Sequence, residues 1–285
     1  MNLLDDLVKV MTLERLEVDL FRGESRDIGS PQVFGGQVLG QALVAATATV
    51  EERTVHSLHA YFLRRGDFNS PIVYEVDRAM DGKHFASRRV IAIQHGRQIF
   101  NMSASFQSPE SGLDHQLTMP AVPPPEDLID LESHYRAVAD RLSSAARRVL
   151  EQRRPFEFRP ARPPPDPLRR EKTEPLKYVW FRAVGALPDD EALHRCMLAY
   201  VSDFHLLDTA LRPHGVPIAA PELVIASIDH AMWFHRSVRV DDWLLYAIDS
   251  PSASGARGFT RGSVFSRDGR LVSSAAQEGL IRIKT

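Results

Sequence analysis

Three stretches of this chain recur later in the same order. "LHAYFLRR" around His59 is matched by "DHAMWFHR" around His230, 171 residues on. "IVYEVDR" matches "LLYAIDS", setting Tyr74 against Tyr246 at 172, and "QHGRQIF" matches "SRDGRLV", setting Gly96 against Gly269 at 173. One such match is chance; three in order, with spacing that drifts one residue at a time, imply a duplicated plan.

Each copy reads the same way. A short strand ("LERLEVDLF", then "LKYVWFRAV") precedes a helix, and a run of strands follows. In the first copy these are "TVHSLHAYFL", "PIVYEVDRA", "FASRRVIAIQ" and "QIFNMSASFQ". In the second they are "LVIASIDHAMWFH", "DWLLYAIDS", "ARGFTRGSVFS" and "LVSSAAQEGLIRI". Apolar residues alternate, as at Ile72, Tyr74 and Val76, the period of half-buried strands. Asp81-Gly82, His95-Gly96 and Asp268-Gly269 supply turns. Strand, helix and four strands predict an antiparallel sheet curled round one helix.

A helix touched on most sides must be uncharged and slim. "FGGQVLGQALVAATATV", Phe34 to Val50, meets that demand, with Val38, Leu39, Ala42, Leu43 and Ala46 on one stripe. No lysine follows its paired glycines, and neither P-loop nor dinucleotide spacing is met. Pro31, four glycines and three glutamines within Ile28 to Val50 exclude a membrane span there. The first N–H groups of this helix, near Gly35 and Gly36, favour negative charge.

A net charge of −2 and a pI near 6.6 offer no electrostatic case for nucleic acid. One cysteine, Cys196, excludes a disulfide framework and a multi-thiolate zinc site; in "EALHRCMLAYVSD", an expected helix, it reads as a small buried hydrophobe. The start lacks the layout of a secretory signal, so a cytoplasmic protein is expected. Of 19 prolines, 11 lie between Pro120 and Pro175, flanking the helical-looking "EDLIDLESHYRAVADRLSSAARRVLEQRR". Proline lacks a backbone donor, so these flanks are not central strands. The expected division is an N-terminal domain over 1–110, a linker with a helix over 111–175 lying across both domains, and a C-terminal domain over 176–285.

"FGGQVLGQAL", "VHSLHAYFLR", "YVSD", "SIDHAMWFHR", "SASGARGF" and "AAQEG" together resemble the acyl-CoA thioesterase II family. The resemblance implies an α+β chain of two tandem hotdog folds, each an antiparallel sheet wrapped round a central helix. It implies hydrolysis of fatty acyl-CoA to free fatty acid and coenzyme A, with no cofactor and no metal. It places the catalytic aspartate at Asp203, the hydroxyl at Ser227 and the glutamine at Gln277, all in the second copy. Many relatives carry threonine where Ser227 stands. The first copy is then scaffold and binding wall.

The chemistry suits these groups. The leaving thiolate has a parent pKa of roughly 8.5 on the cysteine reference, so it departs without strong acid assistance. What remains is to hold a water, take its proton and stabilise an oxyanion. Asp203 is the expected base or water orienter, and Ser227 and Gln277 can each donate and accept hydrogen bonds. Gly35, Gly36, His59 and Arg257 are expected on the substrate side. Arg88, Arg89, Arg257 and Arg261 could meet coenzyme A phosphates, with solvated arginine as the default. His56 and His59, three apart on a strand, should face opposite ways and make no metal pair; His230 and His235, five apart, likewise. A hotdog hydratase or dehydratase, which pairs aspartate with histidine, and a non-catalytic acyl-CoA-binding protein are the alternatives. Asp203 has His205 nearby, but residues two apart on a helix do not face each other. No G-x-S-x-G elbow occurs, which disfavours an α/β-hydrolase. Exposed sheet edges must be paired or covered, so a homo-oligomer is expected.

Overall fold

The computed structural model describes residues 2–30, 32–144, 147, 150, 152–164, 166 and 169–284. After a short helix, α1 (Leu3–Met11), the first copy runs β1 (Glu14–Glu17), β2 (Leu20–Gly23), α2 (Gly35–Thr47), β3 (Thr54–Phe62), β4 (Ile72–Asp81), β5 (Phe85–Gln94) and β6 (Arg97–Gln107). The middle holds α3 (Leu131–Arg136) and β7 (Phe156–Pro160). The second copy runs β8 (Leu176–Ala183), α4 (Glu191–Ser202), α5 (Leu206–Leu211), β9 (Leu223–Ser227), β10 (Asp229–Phe234), β11 (Leu244–Ser254), β12 (Arg257–Ser266) and β13 (Leu271–Ile283).

All the strands form one antiparallel sheet, ordered β1-β2-β4-β5-β6-β3-β10-β13-β12-β11-β8-β7, with β9 paired to β13. The two copies meet at β3 and β10, where Ala60 pairs with His230, His59 with Ala231 and Leu58 with Met232. These pairs exchange under a two-fold axis through His59 and Ala231, which relates residues 172 apart. The spacing of 171 that aligns His59 with His230 is therefore one residue out. In a strand that slip moves a side chain to the other face, and His59 is exposed while His230 is fully buried. The equivalent of His230 is Leu58. The same 172 carries Tyr74↔Ala92 in β4–β5 onto Tyr246↔Val264 in β11–β12.

The sheet curls over α2 and α4, which pack on each other. α2 carries no charge and buries most of its residues, Gln37 and Gln41 among them. Gln41 Nε2 donates to the carbonyls of Val10 and Glu24, while its Oε1 accepts from Tyr74. The glycines set the helix separation: a Cβ on Gly36 would stand 2.2 Å from the Tyr200 carbonyl oxygen. α4 is started by Asp190, whose carboxylate accepts from the N–H of Ala192 and Leu193.

Three local expectations change. The short strand before α2 is a hairpin, β1 and β2. The strand expected over "LVIASIDHAMWFH" is broken at Ile228 into β9 and β10. β3 has a bulge at the equivalent place, between Val55 and Ser57. The bulge turns His56 to the outer face, where its Nε2 meets Ser105 Oγ at 2.7 Å, so His56 and His59 share a face. His230 and His235 do part: His235 is exposed against Ser274 Oγ.

The helical-looking middle is not one helix. Among the described residues it holds a 3-10 turn at Pro125–Asp127, α3, and a second 3-10 turn at Ala139–Arg141. Leu128 and Leu142 are extended and interrupt the helical path; the remainder of the expected helix lies partly outside the described residues. Ahead of α3 the chain crosses the outer face of the second copy. Met119, Val122 and Leu128 cover Trp180, Trp243, Leu245 and Phe265, and Trp180 Nε1 donates to the Pro123 carbonyl. β7 pairs only with β8 and lies at the sheet's edge, where a proline is tolerated.

Candidate active site

The bulge at Ile228 builds the site. Ser227 ends β9 opposite Gly279, and β10 resumes one residue later, its Asp229 Oδ1 accepting from the Glu278 N–H at 2.6 Å. One residue before Glu278, β13 presents Gln277 inward, where it is buried. From the helical side, α4 ends at Ser202 and Asp203 caps it. Asp203 Oδ1 accepts from Gln277 Nε2 at 2.6 Å and from Ser227 Oγ at 3.4 Å. The three expected side chains thus meet on one carboxylate oxygen, from positions 24 and 74 residues apart. Gln277 is buried, while Asp203 and Ser227 are half-buried.

The other carboxylate oxygen faces the first copy. A Cβ on Gly35 would lie 2.8 Å from Asp203 Oδ2, so the carboxylate stands against the first turn of α2. Phe34, just before that turn, packs its ring 4.4 Å from Phe204 and 5.3 Å from Tyr200. Phe62 of β3 comes within the same space and donates its N–H to the Ile228 carbonyl at 2.9 Å. An anion at the C-terminus of α4 is placed against that helix's dipole, and the N-terminus of α2 offsets this. The site therefore draws on both copies, although its three polar side chains come from the second.

Nothing local in the sequence brings His230 to the chemistry, yet it stands there. It is fully buried, with Nδ1 3.0 Å from Gln277 Nε2 and Nε2 3.0 Å from Ser202 Oγ. Burial pushes its pKa down to about 4, so the ring is neutral at pH 7. No spacing rule marks it; only the β10–β13 register does.

The first copy lacks this set. By the 172 offset Ser227 corresponds to Val55 and His230 to Leu58, while Leu58 pairs with Ala104 where His230 would pair with Gln277. Val55, Leu58 and Ala104 are all buried and apolar.

The other expected residues are spread out. Gly35 and Gly36 stand at the site. His59 lies on the outer face with its ring edge against Trp233 at 5.3 Å, because Ala60, its neighbour, takes the inward place. Arg257 Nε pairs with Glu278 at 2.9 Å on exposed surface. Arg88 is not solvated: it is 2% exposed and spends its guanidinium on Thr49, Met80, Ser87 and Asp81. Arg261 is exposed and pairs with Asp249. His205 is bound to Lys177 Nζ through Nδ1 at 2.9 Å, and Lys177 in turn to Asp208. The buried Cys196 thiol is pushed up to about 12. Among the described residues, no group of three or more His, Cys, Asp or Glu side chains could hold a metal ion, and no helix is long and apolar enough to cross a membrane.

Comparison with known proteins agrees with this architecture. Residues 22–107 match the family profile "Acyl-CoA thioesterase N-terminal domain", and residues 149–280 match "Acyl-CoA thioesterase". The chain is 43% identical to "Acyl-CoA thioesterase 2" of Haemophilus influenzae, over 99% of this chain and 98% of that one. It superposes with a TM-score of 0.80 and 42% identity on the crystal structure of an acyl-CoA thioesterase II, TesB2, from Mycobacterium marinum, covering 98% and 99% of the two chains. A hot dog fold protein from Alicyclobacillus acidocaldarius, 18% identical over 98% and 99% of the chains, aligns with a TM-score of 0.77 and shows the fold alone. The two copies, each a helix against half of one continuous sheet joined at β3 and β10, are thus two hotdog folds in tandem, and the chain belongs to the acyl-CoA thioesterase family.

Proposed function

We propose that this protein hydrolyses fatty acyl-CoA by direct attack of a water held by Asp203, Ser227 and Gln277. The observation that carries the reading is the division of labour on the Asp203 carboxylate. Oδ1 is held by Gln277 and Ser227, which leaves Oδ2, beside Gly35, to take a proton. Gln277 Oε1 is buried with no hydrogen-bond partner among the described residues, so it remains an acceptor for one O–H of the water. Asp203 Oδ2 takes the other proton as the water oxygen bonds to the thioester carbonyl carbon. The carbonyl oxygen becomes an oxyanion, for which the N–H groups of Gly35 and Gly36, left without an intrahelical partner at the start of α2, are the proposed donors. Collapse of the tetrahedral intermediate breaks the C–S bond. The coenzyme A thiolate leaves with its electron pair and is protonated from Asp203 or solvent.

The hydratase reading lacks its histidine: His205 is tied to Lys177, and His230 reaches Asp203 only through Gln277. The chemistry then resides in the segment 176–285, with 1–110 supplying the helix N-terminus and the aromatic wall. Self-association belongs to the same reading, because β1 is a fully exposed edge and Tyr61, Phe85 and Trp233 are exposed on the outer face; light scattering should give a mass above that of one chain. Incubation with acyl-CoA tests the activity. Equal amounts of free thiol and fatty acid support hydrolysis. A 3-hydroxyacyl thioester from an enoyl-CoA supports hydration, and binding without turnover supports a binding protein.

A further inference from the structure

The Gln277 amide can stand either way round, and only one way leaves it useful. With nitrogen toward Asp203 it donates to the carboxylate; reversed, its oxygen would face another acceptor. The hydrogen-bond chain behind it decides the matter a second time. Ser202 Oγ lies 2.9 Å from the Ala199 carbonyl and 3.1 Å from Met232 Sδ, neither of which can donate, so the hydroxyl proton is spent on that side. Ser202 Oγ is then an acceptor toward His230, and His230 Nε2, 3.0 Å away, must carry the ring proton. Nδ1 is left with a lone pair, and it faces Gln277 Nε2 at 3.0 Å. The two amide protons are thus allotted to His230 Nδ1 and Asp203 Oδ1, and Oε1 points away from both.

We propose that His230 is a positioning residue for the hydrolysis, holding the Gln277 amide in the orientation that presents Oε1 to the attacking water. This rests on the reading of Asp203, Ser227 and Gln277 given above. Ser202 extends the chain by fixing the tautomer, and the Tyr246 hydroxyl steadies it by donating to the Ser202 carbonyl at 3.0 Å. The first copy supplies a contrast. Leu58 and Ala104 occupy the same two places in the sheet, both buried, so the fold tolerates an apolar pair there, and the polar pair serves the second copy's site.

The test is a double-mutant cycle on kcat and KM for acyl-CoA, with His230→Leu, Gln277→Ala and the double variant. Outer partners that fix a ligand's tautomer in metal sites are worth roughly 10- to 100-fold, and His230→Leu should lower kcat by about that factor with KM nearly unchanged. In the Gln277→Ala background the same change should cost nothing further, since His230 acts only through Gln277. His230→Asn, whose Oδ1 can replace Nδ1 as acceptor, should recover most of the rate. Ser202→Ala, which frees the tautomer, should lower kcat in the His230 protein and have no effect in the His230→Asn protein. Should His230→Leu not fold, the Ser202→Ala and His230→Asn pair suffices to decide. Full kcat in His230→Leu, or a loss that multiplies undiminished onto that of Gln277→Ala, overturns the inference while leaving the trio standing. Full kcat in Gln277→Ala overturns the trio and the inference together.

Discussion

Gly35 and Asp203 stand so close that a methyl group on Gly35 would come within 2.8 Å of Asp203 Oδ2. One residue opens the helix of the first copy and the other closes the helix of the second. The nearest obstacle to a Cβ is the far end of a side chain, which can move. Gly35→Ala should therefore fold with near-native stability, yet displace the carboxylate. Misplacement by about 1 Å can cost on the order of 100-fold in rate. We expect kcat to fall at least tenfold while the urea midpoint moves little; a fully active Gly35→Ala protein would place the reacting groups elsewhere.

Arg88 supports the fold from a buried position. Its guanidinium meets the carbonyls of Thr49, Met80 and Ser87, the Thr49 hydroxyl, and Asp81. Arg88→Leu leaves buried carbonyls unpaired, at about 1–3 kcal/mol for each lost partner. Denaturation should show a loss of about 3 kcal/mol or more, and the protein that remains folded should keep its KM for acyl-CoA. A raised KM with unchanged stability would instead return Arg88 to the coenzyme A phosphates.

Stability should fall on mild acidification, in part through His230. Its folded pKa lies at about 4, against 6.5 for the free group. The unfolded chain takes up this proton as pH drops below 6.5, while the folded protein resists until about 4. The contribution is whole above 6.5 and lost as pH falls through 4, on the order of 3 kcal/mol across the window. Urea midpoints at pH 7, 6 and 5 should fall less steeply for His230→Leu than for the native protein. Parallel curves would show that His230 is not held neutral by the fold.

Much of this arrangement is legible in sequence, for reasons that also mark where reading stops. The duplication, the slim helix near Phe34 and the alternating strands follow from periodicity, which is a local property. Asp203, Ser227 and Gln277 come from ordered motifs, since nothing local links residues 74 apart. The offset is off by one at His59 because identical letters align there, whereas the sheet matches faces and sets Leu58 against His230. The bulges at Val55–Ser57 and Ile228 leave no clear signal, and they decide which way His56 points and how Ser227 and Gln277 converge. α1 passes unnoticed as a short amphipathic piece, although Leu4, Leu7 and Met11 enter the core. The partners of Arg88 are mostly backbone carbonyls, and these have no sequence signature.

The proposed hydrolysis turns on the Asp203 carboxylate taking the proton of the attacking water. Asp203→Asn keeps the shape and an oxygen for Gln277 to donate to, and removes the proton acceptor. The decisive experiment measures free-thiol release from a series of acyl-CoA lengths, native chain against Asp203→Asn, with circular dichroism confirming the fold. A base at Asp203 requires a fall in kcat of at least 100-fold at every length, with the native spectrum retained. Thiol release by folded Asp203→Asn within a few-fold of the native rate would contradict it.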